Sequence, residues 1–104
     1  PQNKETDMAE ALSQEQLKEA LNRLDNWKVE DDKLKKTFEF ENFRESVAFI
    51  MRLSFEAEDM MHHPELFNVY NTVDIALTTH DVGGKVTEKD INLAEKLDSI
   101  YKQA

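Results

Sequence analysis

Apolar residues change period several times along this chain, and each change marks an element. Ser13-Gln-Glu-Gln16 has the form of a capping box. Leu17, Ala20, Leu21 and Leu24 then recur at helical spacing, predicting a first helix from about Gln14 to Asp25. Trp27 and Val29 share one face of a short extended segment, and Glu30-Asp31-Asp32-Lys33 is a polar turn. Leu34 to Phe40 alternates as a second strand, with Phe38 and Phe40 on one face. Asn42 is placed to cap a long helix whose predicted face is Phe43, Val47, Ile50, Met51, Ser54, Ala57, Glu58 and Met61. Pro64 disfavours helical geometry at His63, so that helix should end near Met61 or His62.

Leu66 to Leu77 reads as a second hairpin. A two-residue turn at Asn71-Thr72 uses the tolerance of Asn for positive φ. That register sets Tyr70 opposite Val73, Asn68 opposite Ile75 and Leu66 opposite Leu77 on the core face. The other face carries Phe67, Val69, Asp74, Ala76, Thr78 and His80. Gly83-Gly84 breaks the strand, and Thr87-Glu-Lys-Asp90 caps a last helix with apolar positions Leu93, Ala94, Leu97, Ile100 and Tyr101. The expected fold is α+β, in the order α-β-β-α-β-β-α: a four-stranded antiparallel sheet with three helices packed on one face. Residues 1–12 read as a frayed leader, and 13–104 as one domain.

Charge and composition narrow the partners. Twenty-two acidic residues against 13 basic ones give a formal net charge of −9, which repels phosphate backbones and argues against direct nucleic-acid binding. No run approaches the roughly 18 apolar residues of a membrane span. The chain has no cysteine, which removes disulfides and thiolate metal sites. With no secretory segment recognisable, the cytoplasm is the expected location, with the nucleus open.

All three histidines fall between Glu58 and Asp90: His62 and His63 side by side before Pro64, then His80. Zinc is one reading, but neighbouring side chains diverge by about 100° on a helix, and the i, i+4 pair typical of a zinc helix is missing. A blander reading is a helix end, where cations gain roughly 0.3–1 kcal/mol from the dipole. A third is proton transfer, since histidine gives and takes a proton near neutral pH. No nucleophile motif or phosphate-cradling glycine loop is present, so proton transfer without covalent catalysis or cofactor is the remaining enzymatic option. The methionines Met51, Met60 and Met61 read as packing residues. Glu30-Asp31-Asp32 lacks the glycine and terminal Glu of a calcium loop.

The pattern Glu58-x3-His62-His63-Pro64-x5-Tyr70-x9-His80-x9-Asp90 resembles the signature of the pterin-4a-carbinolamine dehydratases, known in animals also as dimerisation cofactors of a homeodomain transcription factor. The similarity runs through His63-Pro-Glu-Leu-Phe-Asn-Val-Tyr-Asn71, Thr79-His80 and Asp90-Ile-Asn-Leu-Ala94, with Trp27 and Phe38 to Phe43 upstream. It implies an α+β enzyme that removes water from 4a-hydroxytetrahydropterin to give quinonoid dihydropterin, without a cofactor or metal, in tetrahydrobiopterin recycling. It implies that His62, His63 and His80 line the pterin pocket, with His62 and His80 exchanging protons and His63 orienting the ring. Glu58, Pro64, Tyr70, Asp90 and Trp27 would bind or support. A homodimer or homotetramer is expected, and a protein partner is open. The alternative is a non-catalytic interaction module on the same fold. Leu66 is a departure, because animal members commonly carry Trp there.

Overall fold

The computed structural model describes residues 10–103. Helix α1 (Gln14–Arg23) starts at the expected capping box: the Ser13 hydroxyl accepts from Gln16 N–H (3.1 Å), and the Gln16 side chain accepts from Ser13 N–H (2.8 Å). It stops two residues earlier than its apolar spacing suggests, because Leu24 turns extended and buries itself in the core. Strands β1 (Lys28–Glu30) and β2 (Lys33–Glu39) meet at Asp31-Asp32, both at positive φ (55° and 60°). Such a two-residue turn matches the right-handed twist of the strands it joins. Helix α2 (Phe43–Met60) is capped by Asn42, whose side chain accepts from Glu45 N–H. Strands β3 (Glu65–Val69) and β4 (Thr72–Leu77), a single 3-10 turn (His80–Val82) and helix α3 (Glu88–Gln103) complete the chain.

The sheet order is β1-β2-β4-β3, all neighbours antiparallel, with β1 and β3 at the edges. One face buries Leu34, Phe38, Val73, Ile75 and Leu77 against Ala20 of α1, Phe49 and Leu53 of α2, and Ile91, Ala94 and Leu97 of α3. Each large side chain buried this way contributes roughly 1.5–3 kcal/mol. On the other face Lys35 donates to Glu30 (3.3 Å), and chiefly through that hydrogen bond its pKa lies above the ordinary lysine value.

Three expectations are corrected. The second hairpin turns at Tyr70-Asn71, not Asn71-Thr72, so Asn68 faces Val73 and Leu66 faces Ile75. The shift is two residues, so each strand side chain keeps its expected side. Its cause is Asn71, whose side chain donates to Phe40 O while its own carbonyl accepts from Phe40 N–H, leaving the positive φ (48°) to Tyr70. The buried stripe of α2 is Ser46, Phe49, Leu53 and Ala57, whereas Phe43, Val47, Met51 and Phe55 form an exposed apolar row. His80 lies on no strand: β4 ends at Leu77, and His80 opens the 3-10 turn, closed where Gly83 N–H donates to His80 O. Of the expected leader, residues 1–9 lie outside the described residues, but Leu12 is tied down, donating from its N–H to Val86 O.

Candidate active site

The end of α2 decides how the histidine pair is split. Met61 takes the left-handed conformation (φ 52°), and His62 N–H reaches back to Ala57 O (3.0 Å), closing the helix with a six-to-one hydrogen bond. The chain reverses there. His62 turns inward and is buried, while His63 points to solvent.

His62 Nε2 lies 2.6 Å from Asp90 Oδ1, and Asp90 is fully buried in the first turn of α3. The other oxygen, Oδ2, accepts from Thr87 N–H (2.8 Å) and from the Thr79 hydroxyl (2.9 Å). Thr87 in turn accepts from Lys89 N–H (3.2 Å) and shares a 2.8 Å hydroxyl contact with Thr79. The carboxylate therefore has three donors aimed at it, which suits an ionised acceptor. An acceptor-only carboxylate requires the hydrogen on His62 Nε2, so the lone pair of the neutral imidazole stands on Nδ1. Nδ1 has no hydrogen-bond partner among the described residues.

Thr79 immediately precedes His80, so its bond to Asp90 holds the His80 backbone at the end of the sheet where His62 arrives. The His80 side chain is exposed. Glu58 pairs with His63 (2.9 Å) rather than with His62, because the turn at Met61 swings His63 back over the last turn of α2. Both members of that pair are exposed. Pro64 follows at the entry to β3.

Two expected site residues are not brought here within one chain. Tyr70 sits in the hairpin turn, and the intervening extended chain from Pro64 spans about 20 Å. Trp27 is buried with Nε1 donating to both oxygens of Asp98 (3.0 Å) and its ring edge-on to Phe38. Asp98 lies eight residues beyond Asp90 on α3, about 12 Å along the helix. Thr79, by contrast, is a site-building residue whose hydrogen bonds to Asp90 and Thr87 no spacing rule assigns, and Thr87, read from its spacing as a helix cap, also belongs to the site. No group of three or more His, Cys, Asp or Glu among the described residues is placed to hold a metal ion.

A family model described as pterin 4 alpha carbinolamine dehydratase matches residues 10–100. The chain belongs to this family. A relative from Opitutus terrae, named by inference as a pterin-4-alpha-carbinolamine dehydratase, is 46% identical over 93 residues, covering 89% of this chain and 96% of the relative. One from Sulfolobus acidocaldarius, named likewise, is 46% identical over 89 residues, with 86% and 97% covered. The crystal structure of a transcriptional coactivator/pterin dehydratase from Brucella melitensis superposes with TM-score 0.85 at 37% identity, covering 88% of this chain and 99% of that one. A pterin dehydratase-like RuBisCO assembly factor of the alpha-carboxysome shares the fold (TM-score 0.63, 22% identity, 74% and 90% covered). Membership supports a dehydratase at the level of the family. Within this pterin dehydratase fold, the Asp90–His62 pair is the buried polar contact that couples the last helix to the end of α2.

Proposed function

We propose that this chain is a 4a-hydroxytetrahydropterin dehydratase working by histidine acid–base catalysis in tetrahydrobiopterin recycling. The observation that carries the reading is the His62 imidazole, held through Nε2 by buried Asp90 with Nδ1 left free. Dehydration removes a hydroxyl from the 4a ring carbon and a proton from the adjacent ring N–H, and the nitrogen lone pair closes the C=N bond. His62 Nδ1 takes the ring proton, and Asp90 fixes the tautomer and steadies the imidazolium that forms. His80, exposed beside the same corner, gives a proton to the departing hydroxyl, which leaves as water, and the proton held on His62 passes back to His80 through solvent, resetting both imidazoles. His63, steadied by Glu58, orients the ring. No cofactor is needed for this chemistry. The chain acts in the cytoplasm as a homodimer or homotetramer; no described helix is long and apolar enough to cross a membrane.

Stopped-flow absorbance of 4a-hydroxytetrahydropterin decay tests the reading. Wild type should accelerate the decay, and the His62→Ala/His80→Ala double variant should return it to the spontaneous rate. A double variant as fast as wild type would remove both residues from the chemistry. A second reading, an interaction module, draws on the exposed row Phe43, Val47, Met51 and Phe55 and on the coactivator in the name of the Brucella structure. A folded wild type that leaves the decay unchanged would favour it.

A further inference from the structure

Two deeply buried hydroxyls stand behind Oδ2 of Asp90, the oxygen that His62 does not use. Thr79 leads from β4 into the 3-10 turn and is 2% exposed; Thr87 precedes α3 and is not exposed at all. Their oxygens lie 2.8 Å apart, so one hydroxyl donates to the other. Each has a single hydrogen, and what else each oxygen meets decides the direction.

Thr79 has two acceptors in reach, Asp90 Oδ2 at 2.9 Å and Thr87 Oγ1 at 2.8 Å. Were its hydrogen on Thr87, that oxygen would accept twice, from Thr79 and from Lys89 N–H. The Thr87 hydrogen would then have no acceptor among the described residues, and Oδ2 would lose one of its two donors. The opposite sense strands nothing. Lys89 N–H donates to Thr87, Thr87 to Thr79, and Thr79 to Asp90, which accepts from His62 on its other oxygen. The hydrogens therefore run one way, from the backbone of α3 to the carboxylate that holds the imidazole.

We propose that this relay makes Thr87 and Thr79 positioning residues of the reaction, keeping Asp90 an ionised acceptor while His62 picks up and releases a proton. The proposal rests on the reading of His62 as the base. When Nδ1 takes the substrate proton, the hydrogen on Nε2 could pass to Asp90, leaving a neutral acid against an imidazole that keeps the captured proton on Nδ1. Such a pair is slow to reset, so the base must keep its Nε2 hydrogen. Donors on Oδ2 spread the negative charge away from Oδ1 and oppose that transfer. Removing them concentrates charge on Oδ1 and holds the extra proton on the pair to higher pH.

The test is the pH dependence of kcat/KM by stopped-flow absorbance. Thr79→Val should move the acid limb up by about one pH unit, which is about a tenfold loss below it, with the rate recovering at higher pH. Thr87→Val should move it less, because it acts only through Thr79, and should add nothing in a Thr79→Val background. Thr87→Ser and Thr79→Ser keep the hydroxyls and should match wild type. The other charged groups on the elements meeting here are His63 with Glu58, His80 and Asp81 in the turn, and Glu88 and Lys89 opening α3; the valine variants change none of them. Profiles lowered equally at every pH would mean a merely structural role and overturn the proposal. So would an added shift from Thr87→Val in the Thr79→Val background. Carbon-13 NMR of the Asp90 carboxyl group in wild type reads the same point without activity. Its resonance should remain that of a carboxylate while His62 takes up its proton, and a move to that of an acid would overturn the relay. A wild type that passes this NMR test but leaves the decay unchanged would sink the dehydratase reading and leave the relay standing.

Discussion

Helix α3 carries two buried carboxylates, Asp90 and Asp98, and the groups that meet them differ in kind. Asp98 accepts from the Lys36 ammonium (2.7 Å), the Trp27 indole and Asp25 N–H. Lys36 occupies a core-facing position of β2 and lies against the faces of Phe38, Trp27 and Tyr101, 4.6 to 5.8 Å from the ring centroids. Every bond there is made by an ammonium, an indole or a backbone N–H. Asp90 instead meets an imidazole, one of whose nitrogens is left over. The same residue type on the same helix thus meets a lysine at one position and, at the other, the imidazole to which the proposed acid–base role is assigned. The difference lies in whether the partner can change its protonation state near neutral pH.

The contrast can be broken most severely at Asp90. Asp90→Asn preserves the shape of the cap but offers an N–H to His62, forcing the opposite tautomer. The rate constant of catalysed dehydration should fall on the order of 10²–10⁴-fold, by stopped-flow absorbance, and an unchanged rate would sink the tautomer argument. Asp98→Ala strands the Lys36 ammonium and should cost about 3–5 kcal/mol in urea unfolding, while the rate per folded molecule stays at the wild-type level. A large rate loss in the folded variant would mean that the two carboxylates are not separable in function. Trp27→Phe removes the indole donor but keeps an aromatic ring. It should lower unfolding stability by about 1–2 kcal/mol and leave the KM for the pterin unchanged; a raised KM would restore Trp27 to the site. The smallest effect belongs to Glu58→Gln at the exposed His63 pair. Stability should change by less than about 1 kcal/mol, and any loss should appear in KM rather than kcat.

Local chemistry made much of this molecule legible. Ser13, Asn42 and Thr87 announce helix starts by side chains that bond within a turn, so three residues of sequence suffice to recognise them. Asp31-Asp32 announces a turn for the same reason. What could not be read depends on partners distant in sequence. Helix α2 has two apolar rows, and periodicity alone cannot choose which faces the sheet; Phe49 wins because it packs on Phe38, Phe40 and Tyr101. The hairpin turn moved because Asn71 bonds to Phe40, 31 positions away. Asp98 and Lys36 were overlooked, though each left a trace: a lysine between Leu34 and Phe38 on a core-facing row, and an aspartate on the apolar row of Ala94, Leu97 and Tyr101. At the candidate site, sequence named His62 and Asp90, but not that they are bonded to one another, nor that Glu58 serves His63.

Asp90 also has a second duty, as the residue that closes the first turn of α3 on Thr87 N–H. The cap and the imidazole anchor are one carboxylate, so opening of that turn would release His62. Thr87, Asp90 and Ile91 are fully buried, so the turn is held as firmly as the core around it. Amide hydrogen exchange over residues 87–91 reports that coupling directly, and protection there should match that of the core strands.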